Sequence, residues 1–283
     1  MARMKVVVTG AAGRVASQLL PAFRERYDLV LLDTRDRNRD GAPVEGVTIT
    51  DLREADRETY RRFFSGADAV VHLAFNYKRG HSMNDGDYYS ERSNLDLAFH
   101  VYQTALEEDV PRVVIASSNH AADWYEHLLR QRKMEMLDVT APPLSDNYYG
   151  WAKACYEHLG FLFATRRKGR ALEVVQVRIG APRSIPADNA ANDLTGYKRN
   201  LGAYISPRDL QQLFVKSIET PDITNEHGIP FQIFYGVSNN ARAFWSIANA
   251  RKVIGYAPQD DSEVVFADDI RRVLVEQESG GRL

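Results

Sequence analysis

Short apolar runs alternate with longer segments of helical periodicity through the first two thirds of the chain. The runs are nearly continuous rather than alternating, which is typical of strands buried on both faces of a parallel sheet. The predicted strands are residues 5–9, 29–33, 47–50, 69–74, 112–116 and 173–178. The predicted helices are residues 14–26, 57–64, 89–108 and 149–167. This order predicts an α/β fold with a doubly wound parallel sheet.

The regular alternation stops near residue 180. Pro182, Pro186 and residues 188–193 predict an irregular loop. A helix at 207–219, a strand at 231–235 and a helix at 241–254 are predicted to follow. Because these pieces are too few for an independent domain, residues 181–283 are interpreted as a small substrate-binding cap. The cap is interleaved with the end of the sheet, so that it and the core of residues 1–180 form a single structural domain.

Charge and cysteine content narrow the class of protein. The 36 Lys and Arg against 38 Asp and Glu leave a net charge of -2, and the two signs are interspersed, which disfavours nucleic-acid or membrane-surface partners. The single cysteine, Cys155, excludes an internal disulfide and fits a reducing compartment. No apolar run approaches about 18 residues and no signal-peptide pattern precedes the first strand. We therefore expect a cytoplasmic protein without a membrane span.

A glycine turn follows the first predicted strand. Gly10 would allow the tight turn, Gly13 a close approach to a pyrophosphate, and Ala16 the packing of the next helix. The helix start would bind phosphate through its N–H groups, with Ala12, Arg14 and Val15 lining it. The pattern predicts the dinucleotide-binding (Rossmann) form of the fold.

The end of the second predicted strand supplies an acid. Asp33 lies about 20 residues beyond the glycines, where a carboxylate accepts the ribose hydroxyls of NAD and repels a 2′-phosphate. NAD is therefore favoured over NADP, although Arg35 and Arg37 could bind the 2′-phosphate of NADP. By position, further cofactor contacts are predicted at Asp51, Leu52, Leu73, Ala74, Phe75 and Ile179.

Candidate chemistry begins with Tyr149 and Lys153. Residues four apart share one face of a helix, so the ammonium can lie near the phenol and lower its pKa. A tyrosine with a lowered pKa can serve as a general base near neutral pH. A Ser-Ser-Asn-His run, Ser117 to His120, ends the fifth predicted strand and could supply further polar groups.

These motifs, in this order, resemble the extended short-chain dehydrogenase/reductase superfamily, the NAD-dependent epimerase/dehydratase family. The resemblance covers nearly the whole chain and includes the glycine turn, Asp33, His72-Leu73-Ala74, Asn94, Ser117-Ser118, Tyr149 with Lys153, and Val177-Arg178-Ile179-Gly180. Ala116 to His120, Arg199 and the Tyr204-Ile-Ser-Pro-Arg-Asp209 motif are most similar to the uronate dehydrogenases. Those enzymes oxidise glucuronate or galacturonate at C1 with NAD.

The resemblance implies roles for individual residues. Tyr149 would remove the C1 hydroxyl proton, Lys153 would lower its pKa and bind the nicotinamide ribose, and Ser118 would hold the reacting oxygen. The substrate-binding residues would be Tyr77, Ser118, Asn119, His120, Tyr149 and Arg199. The Arg199 guanidinium would bind a carboxylate of the substrate through two hydrogen bonds. Asn94 would have a structural or proton-relay role beside the cofactor. No metal site is predicted.

Each assignment has a structural alternative. Ser117 and Ser118 could simply end a strand, His120 could be a loop histidine, and Arg199 a solvated arginine. The chain also departs from the uronate dehydrogenases. It carries Tyr77 and Ala181 at two substrate positions and inserts a charged segment, residues 126–133. The identity of the sugar or acid is therefore open.

Three functions stay open on the sequence. The first is an NAD-dependent dehydrogenase of a sugar or sugar acid, and the second is a nucleotide-sugar epimerase or dehydratase that retains its NAD. The third is a catalytically inactive dinucleotide sensor, which the presence of both Tyr149 and Lys153 disfavours. The resemblance also implies a homodimer formed by helices 89–108 and 149–167. Its candidate contacts are Leu95, Phe99, Leu106, Leu159 and Phe163.

Overall fold

A seven-stranded parallel sheet organises the molecule. The structure is a computed structural model that describes residues 3–76, 87–165, 169–188, 190 and 193–279. Its strands are β1 Lys5–Thr9, β2 Asp28–Asp33, β3 Val47–Ile49, β4 Ala69–His72, β5 Arg112–Ser118, β6 Glu173–Ile179 and β7 Phe231–Gly236. They lie in the order β3-β2-β1-β4-β5-β6-β7. The chain changes direction across the sheet between β1 and β4, so the predicted doubly wound Rossmann fold is confirmed.

Helices cover both faces of the sheet. They are α1 Arg14–Arg26, α2 Glu58–Arg61, α3 Tyr88–Glu107, α4 Glu126–Arg130, α5 Tyr148–Ala164, α6 Leu194–Ala203, α7 Pro207–Glu219, α8 Ala248–Ile254, α9 Ser262–Val265 and α10 Ala267–Ser279. A 3-10 helix, Asn119–Tyr125, connects β5 to α4. Within the described residues, no helix has the combination of length and apolar composition that crossing a membrane requires.

Successive side chains of β1 point to opposite faces of the sheet, so they contribute to two separate core layers. Val6 and Val8 face one layer, where they pack with Leu19 and Phe23 of α1. Val7 faces the other layer, which α3 and α5 cover. All three valines have no exposed surface, as expected for a central strand of a parallel sheet. A third cluster joins the C-terminal part of the chain, including Tyr197, Leu201 and Trp245, to Tyr125 and Leu137.

Side-chain caps fix where the two site helices begin. The Asn147 side chain accepts a hydrogen bond from the Gly150 N–H at 2.9 Å, so α5 starts at Tyr148 and Tyr149 lies in its first turn. Asp87 caps α3 in the same way, through the Ser90 N–H at 2.9 Å. Each cap places the start of its helix at the carboxyl edge of the sheet.

Several predicted boundaries are wrong. The segment 241–247 is not helical, because the Phe244 carbonyl accepts from the Leu137 N–H at 2.7 Å and the Ser246 N–H donates back to Leu137 at 2.9 Å. The helix there is only Ala248–Ile254. β4 ends at His72, two residues before the predicted end. β5 continues two residues past its predicted end, to Ser118, because Ser118 pairs with Ile179 of β6. The helices α4, α6, α9 and α10 were not predicted.

Candidate active site

The turn after β1 requires glycine at residue 10. Gly10 has φ of +72°, and a Cβ there would lie 2.5 Å from the Ala74 nitrogen. Gly13 begins α1 with no side-chain cap, and the first turn of α1 contains no acidic residue. The N–H groups of that turn are therefore free to bind an anion. Because the turn is open and glycine-lined, it fits a dinucleotide pyrophosphate.

Asp33 lies at the end of β2 beside this turn. Its Oδ2 accepts the Ala12 N–H at 2.9 Å and its Oδ1 accepts the Arg35 N–H at 3.2 Å. These bonds hold the carboxylate at the edge of the cleft, where the ribose position was predicted. Arg37, one of the two candidate partners for a 2′-phosphate, donates to the Gly41 carbonyl and does not line the cleft.

One cleft of about 1220 Å³ runs along the carboxyl edge of the sheet. Most of the predicted cofactor residues line it: Gly10, Gly13, Arg14, Val15, Asp33, Asp51, Leu52, Leu73, Ala74, Phe75, Tyr149, Lys153 and Ile179. The substrate candidates Ser118, His120 and Arg199 line the same cleft. The fold thus brings residues from the ends of six strands, β1 to β6, into one space that can hold both a dinucleotide and a small substrate.

Three predicted site residues do not line the cleft. Ala12 is buried and its N–H is used by Asp33. Asn94 is buried, and its amide bonds the backbone N–H of Asn76 at 2.5 Å and the Asn76 carbonyl at 3.2 Å. It therefore positions the loop after β4 and does not contact the cofactor space. Asn119 has 1% of its surface exposed and is not among the residues that line the cleft. Tyr77 lies outside the described residues.

The three candidate catalytic residues come from two adjacent elements. Ser118 ends β5, and Tyr149 and Lys153 lie one turn apart on α5. The Lys153 Nζ donates to the Ala116 carbonyl at 3.0 Å and lies 5.7 Å from the centre of the Tyr149 ring. Phe75, which follows β4, packs edge-on against the Tyr149 ring at 5.5 Å. Ser118 also interacts with the Tyr149 phenol through a hydrogen bond.

The expected lowering of the tyrosine pKa is not found. Burial raises the pKa of Tyr149 to about 12, and the hydrogen bond with Ser118 opposes this only in part. Burial also lowers the pKa of Lys153 to about 7, which the carboxylate of Glu91 partly offsets. The spacing of the two residues along the sequence indicates only their mutual attraction. Desolvation of both groups in the interior is the larger effect.

His120 is held by a residue that the sequence analysis missed. Its Nδ1 lies 3.0 Å from Asp123 Oδ2, and the Asn147 amide donates to the same oxygen at 2.7 Å. Burial acts to raise the pKa of Asp123, but hydrogen bonds from His120, Ser145 and Asn147 outweigh it, so the pKa is lowered. The His120 ring packs edge-on against the Tyr149 ring at 5.7 Å. An ionised Asp123 therefore orients His120 beside the tyrosine.

A second missed residue is Arg183, which follows β6 and lines the cleft. Burial lowers its pKa, and the nearby positive charges of Arg14 and Arg199 lower it further. No described residue forms an ion pair with its guanidinium. The neighbouring Pro182 carbonyl accepts from the Gln18 amide of α1 at 2.8 Å, so Arg183 lies near the first turns of α1. Arg14 and Arg183 together make that end of the cleft positive.

A comparison with protein families identifies the chain. The model of the NAD dependent epimerase/dehydratase family matches residues 6–181. The chain therefore belongs to this family, as the sequence motifs indicated. It is an NAD-dependent enzyme, and the glycine turn, Asp33 and the cleft between them fit that cofactor.

Individual relatives agree with the family assignment. A Haloferax volcanii protein described as an NAD-dependent glucose-6-phosphate dehydrogenase is 32% identical, over 91% of this chain and 94% of the relative. A uronate dehydrogenase from Pseudomonas syringae pv. tomato is 29% identical, over 93% of this chain and 84% of the relative. The solved structure of a mutated uronate dehydrogenase superimposes with a TM-score of 0.74 and 25% identity, covering 95% of this chain and 86% of that chain.

Proposed function

We propose that this chain is an NAD-dependent dehydrogenase that oxidises the C1 hydroxyl of a sugar or sugar acid. The observation that carries the proposal is the meeting of Ser118, Tyr149 and Lys153 with the glycine turn and Asp33 in one cleft. The relatives named above are dehydrogenases of a sugar phosphate and of uronates, which supports an oxidised sugar as the product.

Each of the three residues has a part in moving the proton. NAD, when bound, supplies the hydride acceptor for this chemistry. Ser118 orients the reacting hydroxyl and Tyr149 accepts its proton. The Lys153 Nζ lies 5.7 Å from the centre of the Tyr149 ring, where its charged form would stabilise the phenolate that accepts the proton. We treat the two as a coupled pair, since a phenolate in this buried position needs a protonated lysine beside it.

A panel of free sugars tests the proposal. The purified protein is mixed with NAD and, separately, with neutral aldoses, uronates and glucose 6-phosphate, and NADH is followed by absorbance. We expect stoichiometric NADH with at least one free sugar. Redox-neutral turnover of a sugar nucleotide, with no NADH from any free sugar, would contradict the proposal and favour an epimerase or dehydratase.

We also propose that the protein works as a cytoplasmic homodimer. Phe99 of α3 and Phe161 and Leu162 of α5 are large apolar side chains that are more than one third exposed. Together they give the outer faces of two adjacent helices an apolar character that a second copy could cover. Phe163, which the sequence analysis placed on this surface, is instead fully buried in the core. The single free thiol, Cys155, is consistent with a reducing compartment.

A further inference from the structure

Arg199 does not offer a free guanidinium to the cleft. Its Nη2 donates to Glu126 Oε1 at 2.7 Å and its Nε donates to the two Glu126 oxygens at 3.1 and 3.2 Å. Its Nη1 lies 3.5 Å from the Asn200 side-chain oxygen. The ring of Trp245 lies 5.1 Å from the guanidinium carbon. The Nε and Nη2 edge of the guanidinium is thus occupied by Glu126, which leaves Nη1 and the second hydrogen of Nη2 to contact a substrate.

Glu126 is well placed to hold this arrangement. It begins α4, and the Glu126 and Arg199 side chains are only 8% and 16% exposed. Its second basic partner, Arg130, is 60% exposed, so solvent screens the positive charge of Arg130. The carboxylate of Glu126 therefore offsets the charge that Arg199 would otherwise present to a substrate.

We propose that Glu126 is a specificity-determining residue that selects a sugar without a negative charge at the end remote from C1. The inference rests on the proposed function, since it concerns the substrate bound beside Tyr149. Arg199 and Asn200 both line the cleft; Arg199 can donate single hydrogen bonds and the Asn200 amide can donate or accept them, which suits hydroxyl groups. A carboxylate or phosphate brought against the same group would lie near the Glu126 carboxylate and be repelled. Arg183, another cation near Arg199, follows Pro182, which is bonded to α1, and it lies near Arg14. Because Glu126 offsets the charge of Arg199, the substrate class we propose is a neutral aldose.

Substrate preference of the wild-type protein is the first test. We measure kcat/KM with NAD for D-glucose, D-galactose, L-arabinose, D-glucuronate, D-galacturonate and D-glucose 6-phosphate. We expect the best neutral aldose to exceed every anionic sugar by about tenfold or more. An anionic sugar that is the best substrate would overturn the inference while leaving the proposed dehydrogenase intact. Absence of NADH with every sugar would overturn both.

Substitution of Glu126 is the second test. Glu126→Gln keeps the size of the side chain and one hydrogen bond to Arg199 but removes the charge. We expect it to raise the ratio of uronate to aldose kcat/KM by about tenfold. The matched control is Glu135→Gln, which makes the same change of charge at an exposed residue outside the cleft and should leave the ratio unchanged. An equal change in both variants, or no change in a folded Glu126→Gln protein, would contradict the role of Glu126.

Glu126→Gln could also fail to fold, because the residue is buried. Circular dichroism and thermal unfolding identify that case, and Glu126→Asp then replaces it. Aspartate keeps the charge but is one methylene shorter, so it loosens the contact with Arg199. We expect a smaller rise of the same ratio, and a ratio equal to that of the wild type would contradict the inference. The wild-type preference is decisive without either variant.

Discussion

Gly10 shows how far a single side chain can disturb the cofactor turn. A methyl group there would meet the Ala74 backbone at 2.5 Å, and backbone cannot move aside as a flexible side chain can. We expect Gly10→Ala to lower the free energy of unfolding by about 3 kcal/mol and to weaken NAD binding. The measurements are urea unfolding and a titration with NAD.

Gly46 is the matched control for this substitution. It has φ of +80°, close to the +72° of Gly10, but nothing lies within 4 Å of a Cβ at residue 46. Gly46→Ala therefore has the same backbone strain without the clash, and we expect it to lose only about 1 kcal/mol and to bind NAD normally. If the two variants lose equal stability, close packing against Ala74 is not the reason for glycine at residue 10.

Lys153 makes stability depend on pH. Burial lowers its pKa from 10.5 to about 7, so between these values the unfolded chain binds more protons than the folded protein. The free energy of unfolding should then rise with pH in this window, by about 1 kcal/mol per pH unit from this residue. Urea unfolding at about pH 7.5 and about pH 9 measures the rise.

Lys153→Met isolates the contribution of the lysine. The variant removes the titrating group but keeps a side chain of similar length, so we expect the rise between the two pH values to shrink by about 1.5–2 kcal/mol. The surrounding groups, Glu91, Tyr149 and His72, stay in place in both proteins. A rise that is the same in both proteins would show that Lys153 is charged in the folded state throughout this range.

At the residue scale, the sequence predicted correctly which site residues are neighbours when those residues are close together along the chain. Tyr149 and Lys153 are four residues apart on one helix, and Gly10 and Gly13 lie in one turn, so their neighbourhood could be inferred directly. The contact between Glu126 and Arg199 joins residues 73 positions apart, and no local pattern predicts it. The predicted shift of the Tyr149 pKa had the wrong direction, because the shift depends on burial and burial is known only from the packed structure.

At the scale of elements, a buried ion pair ties α5 to the sheet. Arg178 of β6 donates to both Glu157 oxygens at 2.8 Å and to the Tyr235 hydroxyl at 2.8 Å. The Ser117 hydroxyl donates to Glu157 Oε1 at 2.9 Å. The pair thus connects the helix that carries Tyr149 with β5, β6 and β7, directly beneath the cleft.

Loss of one partner from this buried ion pair should destabilise the fold strongly. We expect Arg178→Gln to lower the free energy of unfolding by about 3–5 kcal/mol, because Glu157 would be left buried without its counter-charge. Arg272→Gln is the control, since it removes an exposed pair with Asp269 and should change stability by less than about 1 kcal/mol. Thermal unfolding compares the two, and similar losses would contradict the structural role of the buried pair.

The elements differ in how well the sequence predicted them. β1, α1 and α7 have the predicted bounds, because β1 is a continuous apolar run that ends at a glycine turn and the apolar positions of both helices keep helical spacing. Residues 241–247 were predicted as helix, but pairing with Leu137 gives them an irregular conformation. Such tertiary pairing overrides local propensity and cannot be read from the segment itself.

At the scale of the whole molecule, the proposed dimer can be measured directly. Light scattering of the purified protein should give twice the chain mass of 32.0 kDa. Phe99 is 37% exposed on α3, so we expect Phe99→Glu to reduce the mass to that of one chain without unfolding it. A wild-type protein of 32.0 kDa would contradict the dimer but not the chemistry.

The central claim concerns the whole cleft, because Tyr149 can transfer a proton only if the fold holds it beside substrate and cofactor. Tyr149→Phe removes one oxygen atom and should lower kcat for the best sugar by at least about a hundredfold, with NAD affinity within about twofold of wild type. Tyr148→Phe makes the same change at the adjacent, 50% exposed residue and should have no effect on turnover. Equal turnover by the two variants would contradict the proposed mechanism.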